Sequence, residues 1–224
     1  MTAKVKIAIL EDHQSIIDGY MYRLEKEPRI QVVGTCLFGS ELAPLLEEHQ
    51  VDVLLMDLSV PVSPENHAIY PIRHELDRIL NQYPDMKVIV ISVFDQQALI
   101  RSLVDIGIRG YILKDDQSSI KKLTRIIKII ADGGMYFGEN LNVFGVQNKQ
   151  TELLTPRQIE VLSLCIAYPD LPTSTLADKM GISGSTFRNL LSDAYRRLDV
   201  RTRGAAVIRV QELGLILGKA SSIQ

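Results

Sequence analysis

Residues 51–57 read Val-Asp-Val-Leu-Leu-Met-Asp, an apolar stretch that ends in the carboxylate of Asp57. Strands in the middle of a parallel sheet have stretches of this type, because helices cover both faces of the sheet and exclude water. Four other short apolar runs have the same character, at Val5–Leu10, Ile30–Cys36, Lys87–Ser92 and Gly110–Leu113. We therefore interpret 51–56 as one of five buried strands.

Helical patterns lie between and after these strands, near residues 14–27, 39–49, 65–82, 96–106 and 117–132. Strands that alternate with helices predict a parallel sheet with helices on both faces. Because crossover connections are almost always right-handed, the sheet is expected to be doubly wound. We predict an α/β domain with a doubly wound, five-stranded parallel sheet over residues 1–136.

The sequence pattern changes after this first domain. Residues 137–152 are mostly polar and have no sustained periodicity, so we interpret them as a linker. Only helical patterns follow, beginning with a cap and a first-turn proline at Thr155-Pro156. Residues 181–183 supply a turn before a helix over 184–198, and a last helix spans 203–215. We predict a small all-α helix-turn-helix domain over residues 153–224.

Length and composition are typical of a globular protein with two domains. The chain has 224 residues, of which 46% are hydrophobic and 23% are charged. No apolar run approaches the roughly 20 residues that cross a bilayer. The first residues lead directly into a strand, so we expect no signal peptide. Cys36 and Cys165 lie far apart without metal-ligand spacing, which favours two reduced, buried thiols in a cytoplasmic protein.

The two halves of the chain differ in charge. Residues 1–148 carry 15 basic and 20 acidic residues, whereas residues 149–224 carry 10 basic and 7 acidic residues. An acidic first half and a basic second half are typical of a regulatory domain joined to a nucleic-acid-binding domain. The charge distribution therefore agrees with the division into two domains.

Polar and charged side chains lie at the ends of four predicted strands. Glu11 and Asp12 follow the first strand and Asp57 follows the third, while Ser92 ends the fourth and Lys114 follows the fifth. The carboxyl ends of parallel strands meet at one edge of an open sheet, where ligands bind. We therefore expect these side chains to lie together.

These residue types fit a site that accepts a phosphoryl group. A carboxylate that attacks a phosphoryl group is one anion approaching another, so negative charge must be neutralised. We expect Glu11, Asp12 and Asp57, with the backbone carbonyl of Ser59, to hold Mg²⁺ or Mn²⁺. Lys114 offers a fixed positive charge to the phosphoryl oxygens. The product of the reaction is an aspartyl phosphate.

With these residues the first domain resembles the receiver domain of two-component response regulators, over about residues 3–135. The matching residues are Glu11-Asp12, Asp57 with Pro61, Ser92, Tyr111 and Lys114. The resemblance implies that Asp57 is the phosphoacceptor, that Ser92 is the switch residue and that the rotamer of Tyr111 reports phosphorylation. It also implies a histidine kinase as phosphoryl donor and a receiver that is not a turnover enzyme.

Three features around Asp57 depart from the pattern of the resembled family. The stretch from Asp57 to Tyr83 is longer, and its additional residues, near 62–71, could shield the phosphoryl group or serve as a partner surface. Val93 stands after Ser92 where the family prefers a small residue, so we expect hindered access and slow phosphoryl exchange. Asp115 stands after the conserved lysine, where the family commonly has proline.

The second domain resembles the LuxR-type helix-turn-helix over about residues 153–217. The match begins with Leu154-Thr-Pro-Arg-Gln-Ile-Glu-Val-Leu162 and ends with Val200-Arg-Thr-Arg203. In the helix over 184–198, apolar residues recur at helical spacing and form one face of the helix. This pattern predicts burial of Phe187, Leu190 or Leu191, Ala194 and Leu198. The residues available for DNA are Arg188, Asn189, Ser192, Arg196, Arg197, Arg201 and Arg203.

The available residues divide into base-reading and phosphate-binding groups. We predict that Arg188 contacts a base edge or a phosphate, that Asn189 reads adenine and that the later arginines hold phosphates. Leu190 stands where the resembled family often has histidine, so the operator sequence does not carry over. The last helix matches the family's dimerisation helix, and a dimer reads two half-sites together.

The two resemblances together imply a DNA-binding response regulator of the NarL/FixJ class. A histidine kinase would phosphorylate Asp57, and a homodimer would then bind promoter DNA, with RNA polymerase as a further partner. One alternative stays open, namely a phosphorylation-independent transcription factor whose receiver-like domain mediates dimerisation or ligand sensing. The inserted residues and Val93 favour it, whereas Lys114 and the intact acidic residues oppose it. An aspartyl-phosphate hydrolase is disfavoured because Ser59 stands where that class needs a second aspartate.

Overall fold

A computed structural model of the chain describes residues 4–138 and 153–216. The strands in the first of these ranges are β1 Val5–Leu10, β2 Ile30–Cys36, β3 Val53–Met56, β4 Lys87–Ser92, β5 Gly110–Leu113 and β6 Tyr136–Phe137. They form one sheet in the order β2-β1-β3-β4-β5-β6, and every neighbouring pair is parallel. The predicted parallel sheet is confirmed, and β3 begins two residues later than predicted.

Helices connect the strands and cover both faces of the sheet. They are α1 Gln14–Leu24, α2 Leu42–Glu48 after a 3₁₀ turn at Gly39–Glu41, α3 Ile72–Gln82, α4 Gln97–Ile106, α5 Gln117–Lys121 and α6 Leu123–Ala131. Alternate residues of β3 enter different cores, because successive side chains of a strand point to opposite faces. Val53 and Leu55 pack with α1 and α6, whereas Leu54 and Met56 pack with α2, α3 and α4. The sheet is therefore doubly wound, as predicted.

The segment between β3 and α3 differs from the prediction of a helix over 65–82. The helix begins only at Ile72, because Pro71 directly before it has no amide hydrogen and a fixed φ. The preceding residues form a compact loop that folds back on itself, with a bridge between Pro61 and Ile69. In this loop the N–H of Val62 donates to the carbonyl of Ala68 (2.9 Å). The inserted residues therefore have their own turn structure.

Two further differences lie at the end of the first domain. The helix predicted over 117–132 is divided at Lys122 into α5 and α6. After α6 the chain adds the short strand β6, which pairs with β5 and was not predicted. Strand β6 has only two residues, which is too short to show any alternation of polar and apolar side chains. The sheet therefore has six strands where five were predicted.

The second described range is entirely helical, with α7 Pro156–Ala167, α8 Thr173–Lys179, α9 Gly184–Leu198 and α10 Arg203–Glu212. A capping box begins α7, because the Thr155 hydroxyl accepts from the N–H of Gln158 (3.3 Å) and the Gln158 side chain accepts from the N–H of Thr155 (2.9 Å). Gly181 has a φ of 63°, which glycine tolerates, and this conformation turns the chain between α8 and α9. Helix α10 ends earlier than the predicted 215.

The remaining sequence predictions on organisation have mixed outcomes. Residues 139–152 of the predicted linker 137–152 and residues 217–224 lie outside the described residues. Cys36 and Cys165 are both buried, as expected. Within 4–138 and 153–216, each helix is too short or too polar to cross a membrane. The two domains are in contact, and α3 packs against α7.

Candidate functional site

Asp57 lies directly after β3, at the carboxyl edge of the sheet. Its N–H donates to the carbonyl of Leu10 at the end of β1 (2.8 Å), and its Oδ1 accepts from the N–H of Leu58 (2.7 Å). Only 3% of Asp57 is exposed. These hydrogen bonds hold the carboxylate in one orientation, in which Oδ2 is directed towards Lys114.

Lys114 joins the two buried carboxylates of this pocket. Its Nζ lies 2.9 Å from Oδ2 of Asp57 and 2.8 Å from Oε2 of Glu11. Its backbone N–H donates to the carbonyl of Ser92 (2.8 Å), which continues the pairing of β4 with β5 and positions the lysine. Lys114 therefore reaches the pocket although Asp115 follows it, where the resembled family commonly has proline.

The described charges of the pocket are more negative than positive. Burial raises the pKa of Glu11, and the charge of Asp57 adds to this rise against the opposing hydrogen bond from Lys114. Burial lowers the pKa of Lys114, but Asp57 and Glu11 outweigh burial, so the lysine pKa is raised. Burial is thus the main cause of the shift at Glu11, whereas the two neighbouring carboxylates cause the shift at Lys114.

The acidic residues after β1 fit the donor set of a divalent cation. Ligand atoms of Glu11, Asp12 and His13 lie within 4.8 Å of one another. The Asp12 side chain is partly exposed beside the buried Glu11, so a cation can approach from solvent. Carboxylate oxygens are the preferred ligands of Mg²⁺ and Mn²⁺. The raised pKa of Glu11 indicates that additional positive charge is favourable here.

His13 and Ser59 lie near this cluster and differ in their exposure to solvent. His13 is largely exposed, and its Nδ1 lies 2.8 Å from Oδ1 of Asp12. Ser59, whose carbonyl is a predicted ligand, is half-buried in the loop after Asp57. The structure thus brings Lys114 into contact with both Glu11 and Asp57, and Asp12 lies beside Glu11.

The predicted switch residues lie in the interior and are connected through one loop. Ser92 and Tyr111 are both 0% exposed. The Tyr111 hydroxyl donates to the carbonyl of Phe94 (2.6 Å), so the tyrosine is tied to the loop that follows Ser92. Val93, between Ser92 and Phe94, is 60% exposed. A movement of this loop therefore changes the hydrogen bond of Tyr111.

Helix α9 has the two faces that its sequence predicts. Phe187, Leu191, Ala194 and Leu198 are buried, which settles Leu191 over Leu190 as the core residue. The opposite face is exposed and carries Arg188, Asn189, Ser192, Arg196 and Arg197, with the exposed Arg201 after the helix. The hydroxyl of Ser183 accepts from the N–H of Thr186 (3.1 Å) and begins the helix. This exposed surface is the candidate nucleic-acid interface.

Arg203 corrects the prediction that it belongs to the DNA-binding arginines. Its guanidinium donates to the carbonyls of Leu171 (3.2 Å), Cys165 (3.1 Å) and Tyr168 (3.0 Å). These carbonyls lie at the end of α7 and in the loop after it, and Arg203 is only half-exposed. A guanidinium with three carbonyl acceptors ties α10 to α7, so we assign Arg203 a role inside the domain.

Comparison with known families identifies the first domain. Residues 7–127, more than half of the chain, match the response regulator receiver domain. The chain belongs to the response regulator family. Among response regulators it belongs to the NarL/FixJ class, because full-length relatives of that class cover both of its domains.

Two of these relatives and one solved structure describe the similarity. The transcriptional regulatory protein DegU of Brevibacillus brevis is 26% identical, with 92% of each chain covered. The nitrate/nitrite response regulator protein NarP of Escherichia coli (strain K12) is 27% identical, over 91% of this chain and 93% of NarP. A structure of RcsB from Salmonella typhimurium is 21% identical, covers 95% of this chain and 99% of that chain, and has a TM-score of 0.63. This response regulator therefore has the RcsB fold in both domains.

Sequence reasoning missed the residues that join the two domains of this response regulator. The side-chain amide of Asn66 donates to the carbonyl of Ala167 at the end of α7 (2.9 Å). Nδ1 of His74 on α3 lies 2.5 Å from Oε1 of Glu160 on α7. The sequence signal was the insertion after Pro61, which marks an unusual surface without revealing what binds to it.

Proposed function

We propose that this response regulator is phosphorylated on Asp57 by a histidine kinase and that phosphorylation controls its binding to promoter DNA. The observation that carries the proposal is the contact of Lys114 with both Asp57 and Glu11 in one buried pocket. A lysine between two carboxylates provides the charge neutralisation that phosphoryl transfer to a carboxylate needs. The exposed basic face of α9 supports the DNA-binding part.

The transfer step follows from the positions of these groups. The Asp57 carboxylate attacks the phosphorus of a phosphohistidine, so that an O–P bond forms, the P–N bond breaks and the imidazole leaves. Lys114, 2.9 Å from Oδ2 of Asp57, is placed to donate to a phosphoryl oxygen. Mg²⁺ or Mn²⁺, when bound by Glu11, Asp12 and Asp57, supplies the remaining positive charge. The receiver assists its own phosphorylation and turns over no substrate.

The response to the phosphoryl group begins at the loop after β4. The Ser92 hydroxyl donates to a phosphoryl oxygen, and its loop moves towards Asp57. Because Tyr111 donates to the carbonyl of Phe94 in this loop, the tyrosine loses or changes its acceptor and repositions. The loop then has two conformations, and phosphorylation of Asp57 shifts the population towards the one in which Ser92 contacts the phosphoryl group.

On DNA we propose a homodimer in which two α9 helices read two half-sites. Arg188 and Asn189 near the start of α9 reach base edges, and Arg196, Arg197 and Arg201 bind phosphates. The known structures of relatives include an RcsB–DNA complex and two RcsB dimers on two DNAs, which supports this arrangement. RNA polymerase is a further proposed partner at the promoter.

Intact mass spectrometry tests the phosphorylation step. The full-length protein is incubated with Mg²⁺ and a small phosphodonor such as acetyl phosphate, and we expect a mass gain of one phosphoryl group. Asp57→Asn should abolish the gain, whereas Asp85→Asn, at an exposed aspartate, should leave it unchanged. Absence of any gain with several donors would support the phosphorylation-independent alternative.

DNA affinity tests the second step. Fluorescence anisotropy with promoter DNA, at one fixed salt concentration, compares the protein before and after phosphorylation, because salt alone changes such affinities strongly. We expect tighter binding after phosphorylation and no change for Asp57→Asn. Equal affinity of the two forms would contradict the proposed control by Asp57.

A further inference from the structure

His13 stands directly before α1, at the position from which a side chain normally caps the first turn of a helix. Serine, threonine, aspartate and asparagine cap helices best. Three helices of the second domain follow this rule, because α7, α9 and α10 are capped by Thr155, Ser183 and Thr202. The side chain of His13 makes no capping hydrogen bond. Helix capping therefore does not explain why an imidazole stands at this position.

The ring of His13 faces two carboxylates instead of the core. Its side chain is 63% exposed, so it contributes little to packing. Its Nδ1 lies 2.8 Å from Oδ1 of Asp12 and 3.2 Å from Oε1 of Glu11. The backbone N–H of His13 also donates to Oε1 of Glu11 (3.3 Å), which fixes the chain beside that carboxylate. An imidazole nitrogen and two carboxylate oxygens therefore lie together.

These three atoms lie on the solvent side of the pocket, and Lys114 lies on the inner side. The Lys114 Nζ is 2.8 Å from Oε2 and 3.0 Å from Oε1 of Glu11, and the lysine side chain is only 15% exposed. The Asp12 side chain is more exposed than that of Lys114, and the His13 side chain is the most exposed of the three. We call Oε1 of Glu11, Oδ1 of Asp12 and Nδ1 of His13 the outer donor set.

The spacing of the outer donor set fits the ligands of one octahedral ion. When metal–ligand distances are about 2.1 Å, neighbouring ligands of an octahedron are about 3 Å apart. The two nitrogen–oxygen distances of the set are 2.8 and 3.2 Å. All three ligand atoms lie within 4.8 Å of one another. Only small side-chain movements are therefore needed for the three atoms to bind the same ion.

A nitrogen donor changes which ions this site prefers. Mg²⁺ takes oxygen ligands and gives up its water reluctantly, whereas imidazole suits Fe²⁺, Ni²⁺ and Zn²⁺. For a site of nitrogen and oxygen ligands, affinity rises along the first-row series from Mn²⁺ through Fe²⁺ and Co²⁺ to Ni²⁺. The nitrogen of His13 therefore adds affinity for a transition ion that it cannot add for Mg²⁺.

We propose that His13 is a direct ligand of the divalent cation in this pocket, together with Glu11 and Asp12, and that it selects a first-row transition ion over Mg²⁺. This inference rests on the proposed function, since the same cation serves phosphoryl transfer to Asp57. The neutral ring binds the ion through Nδ1, and its Nε2 carries the proton. Bonds to the ion then replace the contacts of Nδ1 with the two carboxylates.

Isothermal titration calorimetry of the full-length protein with Mg²⁺, Mn²⁺ and Co²⁺ tests the selection of the ion. His13→Asn replaces the nitrogen donor by an oxygen donor, and asparagine caps helices well, so α1 should remain folded. We expect the loss of affinity to grow along the series, from less than about twofold for Mg²⁺ to about tenfold or more for Co²⁺. His67→Phe, at an exposed histidine of the loop after Pro61, should match the parent for all three ions.

Proton NMR of the protein with one equivalent of Co²⁺ tests the bond itself. The ring N–H of a histidine bound to paramagnetic Co²⁺ is shifted far from the other protein signals, and it disappears in D₂O. We expect one such signal in the parent and in His67→Phe, and none in His13→Asn. The same samples are then incubated with acetyl phosphate and weighed intact, which reports the phosphoryl group independently.

The results that would overturn ligation by His13 differ from those that would refute phosphorylation. A parent protein that does not bind Co²⁺, or that binds it without the shifted signal, would overturn ligation, and so would a signal that persists in His13→Asn. Equal losses of affinity for Mg²⁺ and Co²⁺ in His13→Asn would overturn the selection of the ion. Absence of the mass gain, with the shifted signal present, would refute phosphorylation of Asp57 and leave the metal site standing.

Discussion

Glu11 and Glu160 are buried glutamates with basic partners, yet their pKa values shift in opposite directions. In the Asp57 pocket, burial and a second carboxylate outweigh Lys114, so the pKa of Glu11 is raised. In the contact between α3 and α7, His74 and Arg157 outweigh burial, so the pKa of Glu160 is lowered. The pocket thus lacks positive charge, whereas the domain contact has sufficient positive charge.

The difference in charge compensation gives the Asp57 pocket and the contact between α3 and α7 different properties. A pocket with excess negative charge gains stability from any cation that enters it, so it is prepared for binding. A contact whose charges are already compensated, as at Glu160 with His74 and Arg157, gains little from a further cation. The receiver therefore combines a pocket that favours a cation with an interface whose charges are already paired.

The largest expected effect comes from removing Lys114, which contacts both buried carboxylates of the pocket. Lys114→Met leaves Glu11 and Asp57 buried side by side, and we expect a loss of about 3 kcal/mol in the free energy of unfolding. Added Mg²⁺ should restore part of this loss. Urea denaturation with and without Mg²⁺ measures both effects. Lys121→Met, at an exposed lysine, is the control, and an equal loss in both variants would contradict the charge argument.

A smaller effect is expected at the domain contact. Glu160→Gln should lower the stability of the C-terminal domain by about 2 kcal/mol at neutral pH, because a charged hydrogen bond is lost. The pKa of Glu160 is lowered on folding, so its contribution is present above about pH 4.5 and disappears as the pH falls through the lowered value. Thermal unfolding across this pH range should show parent and variant converging. A constant difference would refute the assignment, and Glu48→Gln is the exposed control.

Two neighbouring arginines extend the comparison to basic groups. Arg203 donates to three carbonyls, so Arg203→Ala should lower the free energy of unfolding of the domain by about 1.5 kcal/mol. Arg201→Ala should leave stability unchanged and reduce the salt dependence of DNA binding by about one phosphate contact. Thermal unfolding and affinity at several salt concentrations distinguish them. A loss of stability in Arg201→Ala, together with a change of salt dependence in Arg203→Ala, would contradict both assignments.

The smallest expected effect concerns access to the phosphoryl group. Val93 is exposed directly after Ser92, and Val93→Ala should increase autodephosphorylation a few-fold by admitting water more easily. The decay of the phosphorylated mass over time measures this rate. Val104→Ala, a half-buried change on α4, serves as the control. Equal decay in the parent and in Val93→Ala would contradict shielding by the branched side chain.

The Asp57 pocket could be predicted from sequence because it depends on local signals. Apolar runs define the strands, and parallel pairing then brings their ends together whatever the loops do. The ends of the predicted strands therefore predicted that Glu11, Asp57 and Lys114 lie in one pocket. The two faces of α9 were predictable for the same reason, since helical periodicity separates Phe187 from Arg188.

The domain contact could not be predicted, because it depends on docking between distant segments. Asn66 and Ala167 are 101 residues apart, and neither has a sequence pattern that specifies the other. Arg203 belongs to an arginine-rich stretch, so its charge suggested DNA, and only the packing of α10 on α7 reveals its carbonyl acceptors. Pro71 is the local signal that should have moved the start of the predicted helix over 65–82 to the residue after it.

The open reading face of α9 has a kinetic consequence. Long-range attraction between basic side chains and DNA determines how quickly a protein arrives, and Arg188, Arg196 and Arg197 are exposed in this structure without a phosphoryl group on Asp57. Arrival rates should therefore be similar in both states. The proposed homodimer changes the residence time instead, because two linked readers leave two half-sites more slowly than one reader leaves one. We therefore expect the proposed control by Asp57 to act on the rate of dissociation from DNA rather than on the rate of association.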